Sequence, residues 1–222
     1  MNRLRRSVPV GLTPGDARGA RIETVADGLG VDVAADSSRD GRSTIGDTLL
    51  PPDGSLTPDW YLEAAILRAL EPRHILFLCV ANSARSQLAE GIARSLVATS
   101  ASGSSGAEAG PGTSPPVKIS SAGSEPTSVR PQAVEVLREV GIDITDQTSN
   151  GIDEVEGPVD VVITLCAEEV CPVWLDDAWR LHWGLPDPAG VEGTEEERLA
   201  AFRDVRDELH RRLGVLFTGR LP

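Results

Sequence analysis

Three cysteines, one arginine and one aspartate hold most of the chemistry this chain could perform. Cys79 and Arg85 flank a stretch of five residues, Val80-Ala81-Asn82-Ser83-Ala84, and Ser86 follows at once. A cysteine and an arginine on either side of so short a loop make a pocket for a tetrahedral oxyanion. Arg85 would clamp two of its oxygens with a planar fork of N–H donors. A loop leading into a helix points several backbone N–H groups at one spot, and the helix dipole adds positive potential there. The same field favours the thiolate of Cys79, the form that acts as a nucleophile. The plainer alternative is a buried structural cysteine with a surface arginine nearby.

The elements that must position this loop can be read on either side of it. Ile75, Leu76, Phe77 and Leu78 form the short apolar run of a buried parallel strand, expected over residues 74–78. Leu88, Ile92 and Leu96, with Ala89 and Ala93, recur at helical spacing and predict a helix over 83–97. A low-complexity connection at about 100–116 is expected to be mobile. A second strand is expected over 117–121, leading into Ser121-Ala122-Gly123. Pro131 opens a helix that Gly141 closes. A third strand over 159–165 runs into Cys166, a short one near 181–183 leads to Pro186-Asp187-Pro188, and a last helix spans about 194–213. Alternating strands and helices predict an α/β fold, a four-stranded parallel sheet with helices on both faces. Ligands of such sheets bind beyond the carboxyl ends of the strands, which gathers Cys79, Ser121, Cys166 and Asp187 on one rim. Taken singly, Cys166 could be strand-end core and Asp187-Pro188 an ordinary turn.

Cys166 and Cys171 are separated by Ala167, Glu168, Glu169 and Val170, close enough for the sulfurs to meet after a modest rearrangement. A zinc site is the competing use, but it wants about four ligands and His182 is the nearby imidazole. Redox pairing is favoured over metal. Trp174, Trp179 and Trp183 read as core or lid packing, and Glu168 and Glu169 as solvated charge.

Composition narrows the classes further. The formal net charge of −13 argues against nucleic-acid or anionic-membrane binding, since both need basic surface. No pair of adjacent helices with a tight turn marks a DNA-binding module. No stretch approaches the ~20 apolar residues of a membrane span. The basic start lacks a sustained apolar run, so no secretory signal is expected, and three cysteines do not make a secreted disulfide scaffold. A cytoplasmic location follows as an expectation. Residues 1–56 read as a low-complexity, mostly disordered extension. Residues 57–72 read as a short helix or linker, with Thr57 as N-cap and Pro58 at the first helical position. The remaining 73–222 form the main domain.

The segments Cys79–Ser86, Ser121-Ala122-Gly123, Thr164-Leu165-Cys166 with Cys171-Pro172, and His182-Trp183-Gly184 with Asp187-Pro188-Ala189 together resemble the arsenate reductases of the low-molecular-weight tyrosine phosphatase superfamily. The resemblance covers about residues 73–213. It implies a low-molecular-weight phosphatase-like fold and a relay. Cys79 attacks arsenate held by residues 80–86, Asp187 protonates the departing oxygen, Cys166 then attacks Cys79, and Cys171 attacks Cys166. Ser86 would hydrogen-bond the thiolate and Asn82 would hold the loop. The final Cys166–Cys171 disulfide would pass to thioredoxin, a glutaredoxin system or a small thiol. The gap between these two cysteines is shorter than in the best-known thioredoxin-linked members. No tightly bound cofactor is implied. Some members bind potassium, at positions that fall here on Asn82, Glu90, Ser121 and Asn150. The last is usually an aspartate there, so this chain keeps an oxygen but loses the charge. Two rivals remain. One is a tyrosine or small-ester phosphatase using Cys79, Arg85 and Asp187 alone. The other is an oxyanion-binding module that has lost catalysis.

Overall fold

The computed structural model describes residues 59–102, 117–167, 172–174 and 176–218. The 1–56 extension, most of the 100–116 connection and Cys171 lie outside the described residues. The elements are α1 (Asp59–Leu70), β1 (His74–Cys79), α2 (Arg85–Ser102), β2 (Lys118–Gly123), α3 (Pro131–Arg138), β3 (Val161–Cys166), β4 (Trp179–Leu185) and α4 (Glu195–Thr218). Short 3-10 turns at Ile152–Glu154 and Pro188–Gly190 flank β3 and β4 on the chain. The four strands lie in the order β2-β1-β3-β4, and every pairing is parallel. All carboxyl ends therefore face one rim.

Several element bounds differ from the periodic reading, each for a local reason. The helix after β1 starts at Arg85 rather than at residue 83, because the Ser83 carbonyl is taken by Arg130 N and the first helical bond runs from Leu88 N to Ala84 O. β2 continues to Gly123, paired with Cys79, since the ladder continues past its apolar residues. β4 is longer than its apolar stretch. Leu181, Trp183 and Leu185 point into the core while Arg180 and His182 are exposed, the alternation of a strand with one open face. α4 runs on to Thr218 because Val215 and Leu216 are still buried.

Alternation along β1 splits the core in two. Ile75 and Phe77 join Val161, Ile163, Leu165, Leu181, Trp183 and Leu185 in the larger cluster, to which α1, α2, α3 and α4 all contribute. Leu76, Leu78, Ala122 and Val162 form a smaller cluster on the other face. Among the described residues that face is covered by Val159, Trp174, Ile152, Val155 and Ala178.

α1 is built into the main cluster rather than tethered to it. Ala64, Leu67 and Leu70 are buried there. The Glu63 carboxylate accepts the Trp183 indole N–H at 3.0 Å, and the Arg211 guanidinium sits 4.4 Å from the centre of the Trp60 ring. Leu67→Ala is expected to cost ~2–4 kcal/mol of the whole domain's stability, because it leaves a cavity in a shared core. One cooperative melting transition shifted downward supports this. An unshifted main transition would make α1 a dispensable attachment.

Candidate active site

The loop between β1 and α2 is held from outside by its carbonyls. Val80 O accepts from Glu125 N at 2.9 Å, Ala81 O from Thr127 N at 3.1 Å, and Ser83 O from Arg130 N at 2.9 Å. Ser149 Oγ also donates to Ala81 O, at 3.1 Å. Gln87 Nε2 donates to Asn82 O at 3.1 Å, and Ala84 O accepts the helical bond from Leu88 N at 2.9 Å. With all five carbonyls engaged outward, the backbone N–H groups of residues 80–84 have no acceptor among the described residues. A ring of donors with nothing to bond is the cradle an oxyanion needs.

Cys79 sits at the base of that ring, 2% exposed, with Sγ 2.9 Å from Ser86 Oγ. Asn82 Nδ2 donates to Ser86 Oγ and to Ser121 Oγ, each at 2.8 Å. With Asn82 donating to its oxygen, the Ser86 hydroxyl has its own proton free to give to a Cys79 thiolate. Asn82 Oδ1 in turn accepts from Asn150 N at 2.7 Å and from Gln87 Nε2 at 3.1 Å. The strained, left-handed φ of Asn82, 44°, is thus held by bonds at both ends of its side chain. Gly123 closes the floor. A Cβ there would lie 2.4 Å from Val80 O and 2.8 Å from Asn82 N, so only glycine lets β2 approach the loop.

Arg85 and Asp187 meet across the mouth. The Arg85 side chain is 4% exposed, with Nη2 3.5 Å from Asp187 Oδ1 and Nη1 donating to Leu185 O at 3.2 Å. Asp187 is more open, 39% exposed, and caps the Pro188–Gly190 turn by accepting from Ala189 N. A carboxyl group beside the anion clamp and open to water is placed to exchange a proton with a bound oxyanion.

Cys166, 1% exposed, ends the strand next to β1. Leu78 pairs with Thr164, so Cys79 and Cys166 lie one and two residues past the last matched pair of adjacent strands. Such strands are about 5 Å apart.

Of the four oxygen-bearing residues behind the loop, three form a chain. Asn82 donates to Ser121, and Ser121 Oγ donates to Glu90 Oε2 at 2.5 Å. Burial pushes the Glu90 carboxyl above its ordinary range, opposed by the Ser121 hydrogen bond and by Arg94, whose Nη2 is 2.5 Å from Oε1. Asn150 reaches the group through its backbone N–H, while its side chain bonds to Thr148.

Gln87 is the functional residue that sequence reading missed. It is fully buried, braces Asn82 twice and donates to Thr148 O at 2.8 Å. Gln147 braces it in turn. The signal was a glutamine at the head of the helix, next to Leu88 of its apolar stripe, where a buried uncharged polar group needs partners.

Comparison with known proteins agrees with this geometry. The family model described as low molecular weight phosphotyrosine protein phosphatase matches residues 74–220. The arsenate reductase of Halalkalibacterium halodurans is 42% identical over 142 residues, covering 63% of this chain and 91% of that protein. The arsenate reductase of Bacillus subtilis strain 168 is 42% identical over 147 residues, covering 65% and 94%. A solved structure described as an arsenate reductase in the phosphate binding state aligns with a TM-score of 0.50 at 33% identity, over 66% of this chain and 98% of that one. Residues 1–73 precede the family match.

Proposed function

The chain belongs to the low molecular weight phosphotyrosine protein phosphatase family, and from that premise we propose that it reduces arsenate to arsenite through a relay of its three cysteines. What supports this over hydrolysis is one observation. A second buried cysteine, Cys166, ends the strand adjacent to the one that ends in Cys79. Phosphate-ester hydrolysis has no use for it.

In this reading arsenate enters the cradle of N–H groups at residues 80–84, and Arg85 takes two of its oxygens. The Cys79 thiolate, steadied by the Ser86 hydroxyl, forms a bond to arsenic. An oxygen leaves, taking the Asp187 proton and departing as water. The Cys166 thiolate then bonds to the Cys79 sulfur. The sulfur–arsenic bond breaks with its electron pair going to arsenic, which falls from arsenic(V) to arsenic(III) and leaves as arsenite. Cys171 attacks Cys166, freeing Cys79. A dithiol such as thioredoxin, or a small thiol, reduces the remaining disulfide. The reaction runs in the cytoplasm, where such reductants are kept reduced. No described helix is long and apolar enough to cross a membrane.

Potassium at Asn82, Glu90, Ser121 and Asn150 belongs to the same proposal. Oxygen donors suit that cation in kind. It would replace bonds these residues now make: Asn82 would turn its amide oxygen inward and Asn150 would leave Thr148.

Thiol counting tests the function directly. Without reductant, the reduced protein mixed with arsenate is expected to release one arsenite per chain, stop, and retain one titratable thiol out of three. No arsenite, or arsenite with all thiols retained, would refute the relay.

A further inference from the structure

We propose that Gln87 turns the Ser83 N–H into the oxyanion cradle, by holding the Asn82 carbonyl outward. The inference rests on the oxyanion reading above and adds to it a positioning residue that lies outside the loop.

In a planar trans peptide the carbonyl oxygen of one residue and the N–H of the next point in opposite directions. Whatever fixes a loop carbonyl outward therefore aims the following N–H inward. Four of the five carbonyls of residues 80–84 are fixed by backbone donors. Val80 O takes Glu125 N, Ala81 O takes Thr127 N, Ser83 O takes Arg130 N and Ala84 O takes Leu88 N. Asn82 O is the exception. Its donor among the described residues is the Gln87 side chain, with Nε2 at 3.1 Å. The peptide so controlled joins Asn82 to Ser83 and follows the left-handed φ at Asn82.

The orientation of the Gln87 amide is fixed by its surroundings. Nε2 faces Asn82 O and Asn82 Oδ1, each at 3.1 Å, and Thr148 O at 2.8 Å. Two of these are backbone carbonyls, which only accept, so the donor end of the amide must face them. Oε1 accepts from Gln147 Nε2 at 2.5 Å, and Gln87 O accepts from the same nitrogen at 3.2 Å. Gln147 is brought there by a turn in which its N–H donates to Ile144 O at 3.1 Å. That turn packs on Gly91 of α2. A Cβ on Gly91 would lie 2.6 Å from Ile144 Cγ2 and 2.9 Å from Leu137 Cδ1, so glycine lets the turn settle one helical turn beyond Gln87. Gln87 is fully buried, and bulk water does not compete for its donors.

Removing the donor changes what this peptide offers the substrate. Asn82 O would be left buried without a partner, a costly state. Rotation of the peptide relieves it by swinging the oxygen into the cradle, where the neighbouring N–H groups satisfy it. One bond to the anion is then lost, and a partial negative charge sits where the anion binds. The four peptides held by backbone donors keep their direction.

The test is Gln87→Met, which keeps the length of the side chain and removes its donor. The dissociation constant of inorganic phosphate, by calorimetry, is expected to rise about 10- to 100-fold, the scale of one hydrogen bond to a charged group. Backbone amide resonances of isotope-labelled protein locate the loss. In the parent, phosphate should shift the Ser83 amide together with those of Ala81, Asn82 and Ala84. In Gln87→Met the Ser83 shift should vanish while the other three persist. Gln87→Glu, equal in shape but an acceptor alone when ionised, should behave likewise. Equal weakening of all four shifts, or a lower melting temperature with phosphate affinity unchanged, would make Gln87 a packing residue and overturn the proposal. A parent protein whose Ser83 amide ignores phosphate would overturn it without any variant. Arsenite release by the parent keeps the two claims apart: its absence would refute arsenate reduction, whereas the phosphate shifts alone decide the role of Gln87.

Discussion

Cys79→Ser is expected to lower arsenate reduction by about four orders of magnitude or more, the scale seen when a covalent nucleophile is removed from a group that acts as a unit. A serine hydroxyl in that place is not ionised near neutral pH and cannot enter a disulfide exchange. Both the first bond to arsenic and the later attack by Cys166 are therefore lost. Binding should survive. The cradle is made of backbone N–H groups whose carbonyls are fixed by Glu125, Thr127, Arg130, Ser149 and Gln87, and none of these bonds involves the sulfur. Phosphate should bind Cys79→Ser within a few-fold of the parent by calorimetry while arsenite formation disappears. Reduction at a tenth or more of the parent rate would mean that another cysteine is the nucleophile.

The sheet and the loop were legible in the sequence because their signals are local. The apolar run of β1, the cysteine at its end and the arginine after five residues lie within a dozen positions. What escaped was long-range or polar. Gln87 carried no motif, and its role emerges only when residues 147–150 fold back over the loop. The bond from Trp183 to Glu63 joins residues 120 positions apart, so the apolar spacing of residues 60–70 suggests a helix that could pack on the domain but not this polar tie to it. β4 was read too short because its outward face carries Arg180 and His182. Those polar residues broke the apolar run that elsewhere marked a strand. Asn82 is expected from the resemblance to hold the loop, and the structure adds how: its amide nitrogen bonds both Ser86, which touches Cys79, and Ser121 on β2.

The second large effect concerns the cysteine that distinguishes recycling from a single event. Cys171 lies outside the described residues, so its role is tested by chemistry. Cys171→Ser leaves Cys79, Arg85, Asp187 and Cys166 intact. The first turnover should proceed at the parent rate and end with Cys79 and Cys166 joined. Without the third thiol that disulfide stays buried, since Cys79 and Cys166 are 2% and 1% exposed. A protein reductant reaches it poorly, because exchange needs access to a sulfur. Steady-state turnover should fall about 100-fold or more.

The direct measurement is arsenite formed over time by Cys171→Ser with arsenate, thioredoxin and its reductase in excess. The relay predicts a burst of one arsenite per chain followed by near-silence, with the trapped Cys79–Cys166 disulfide found by mass spectrometry. Continuous turnover at the parent rate would contradict it.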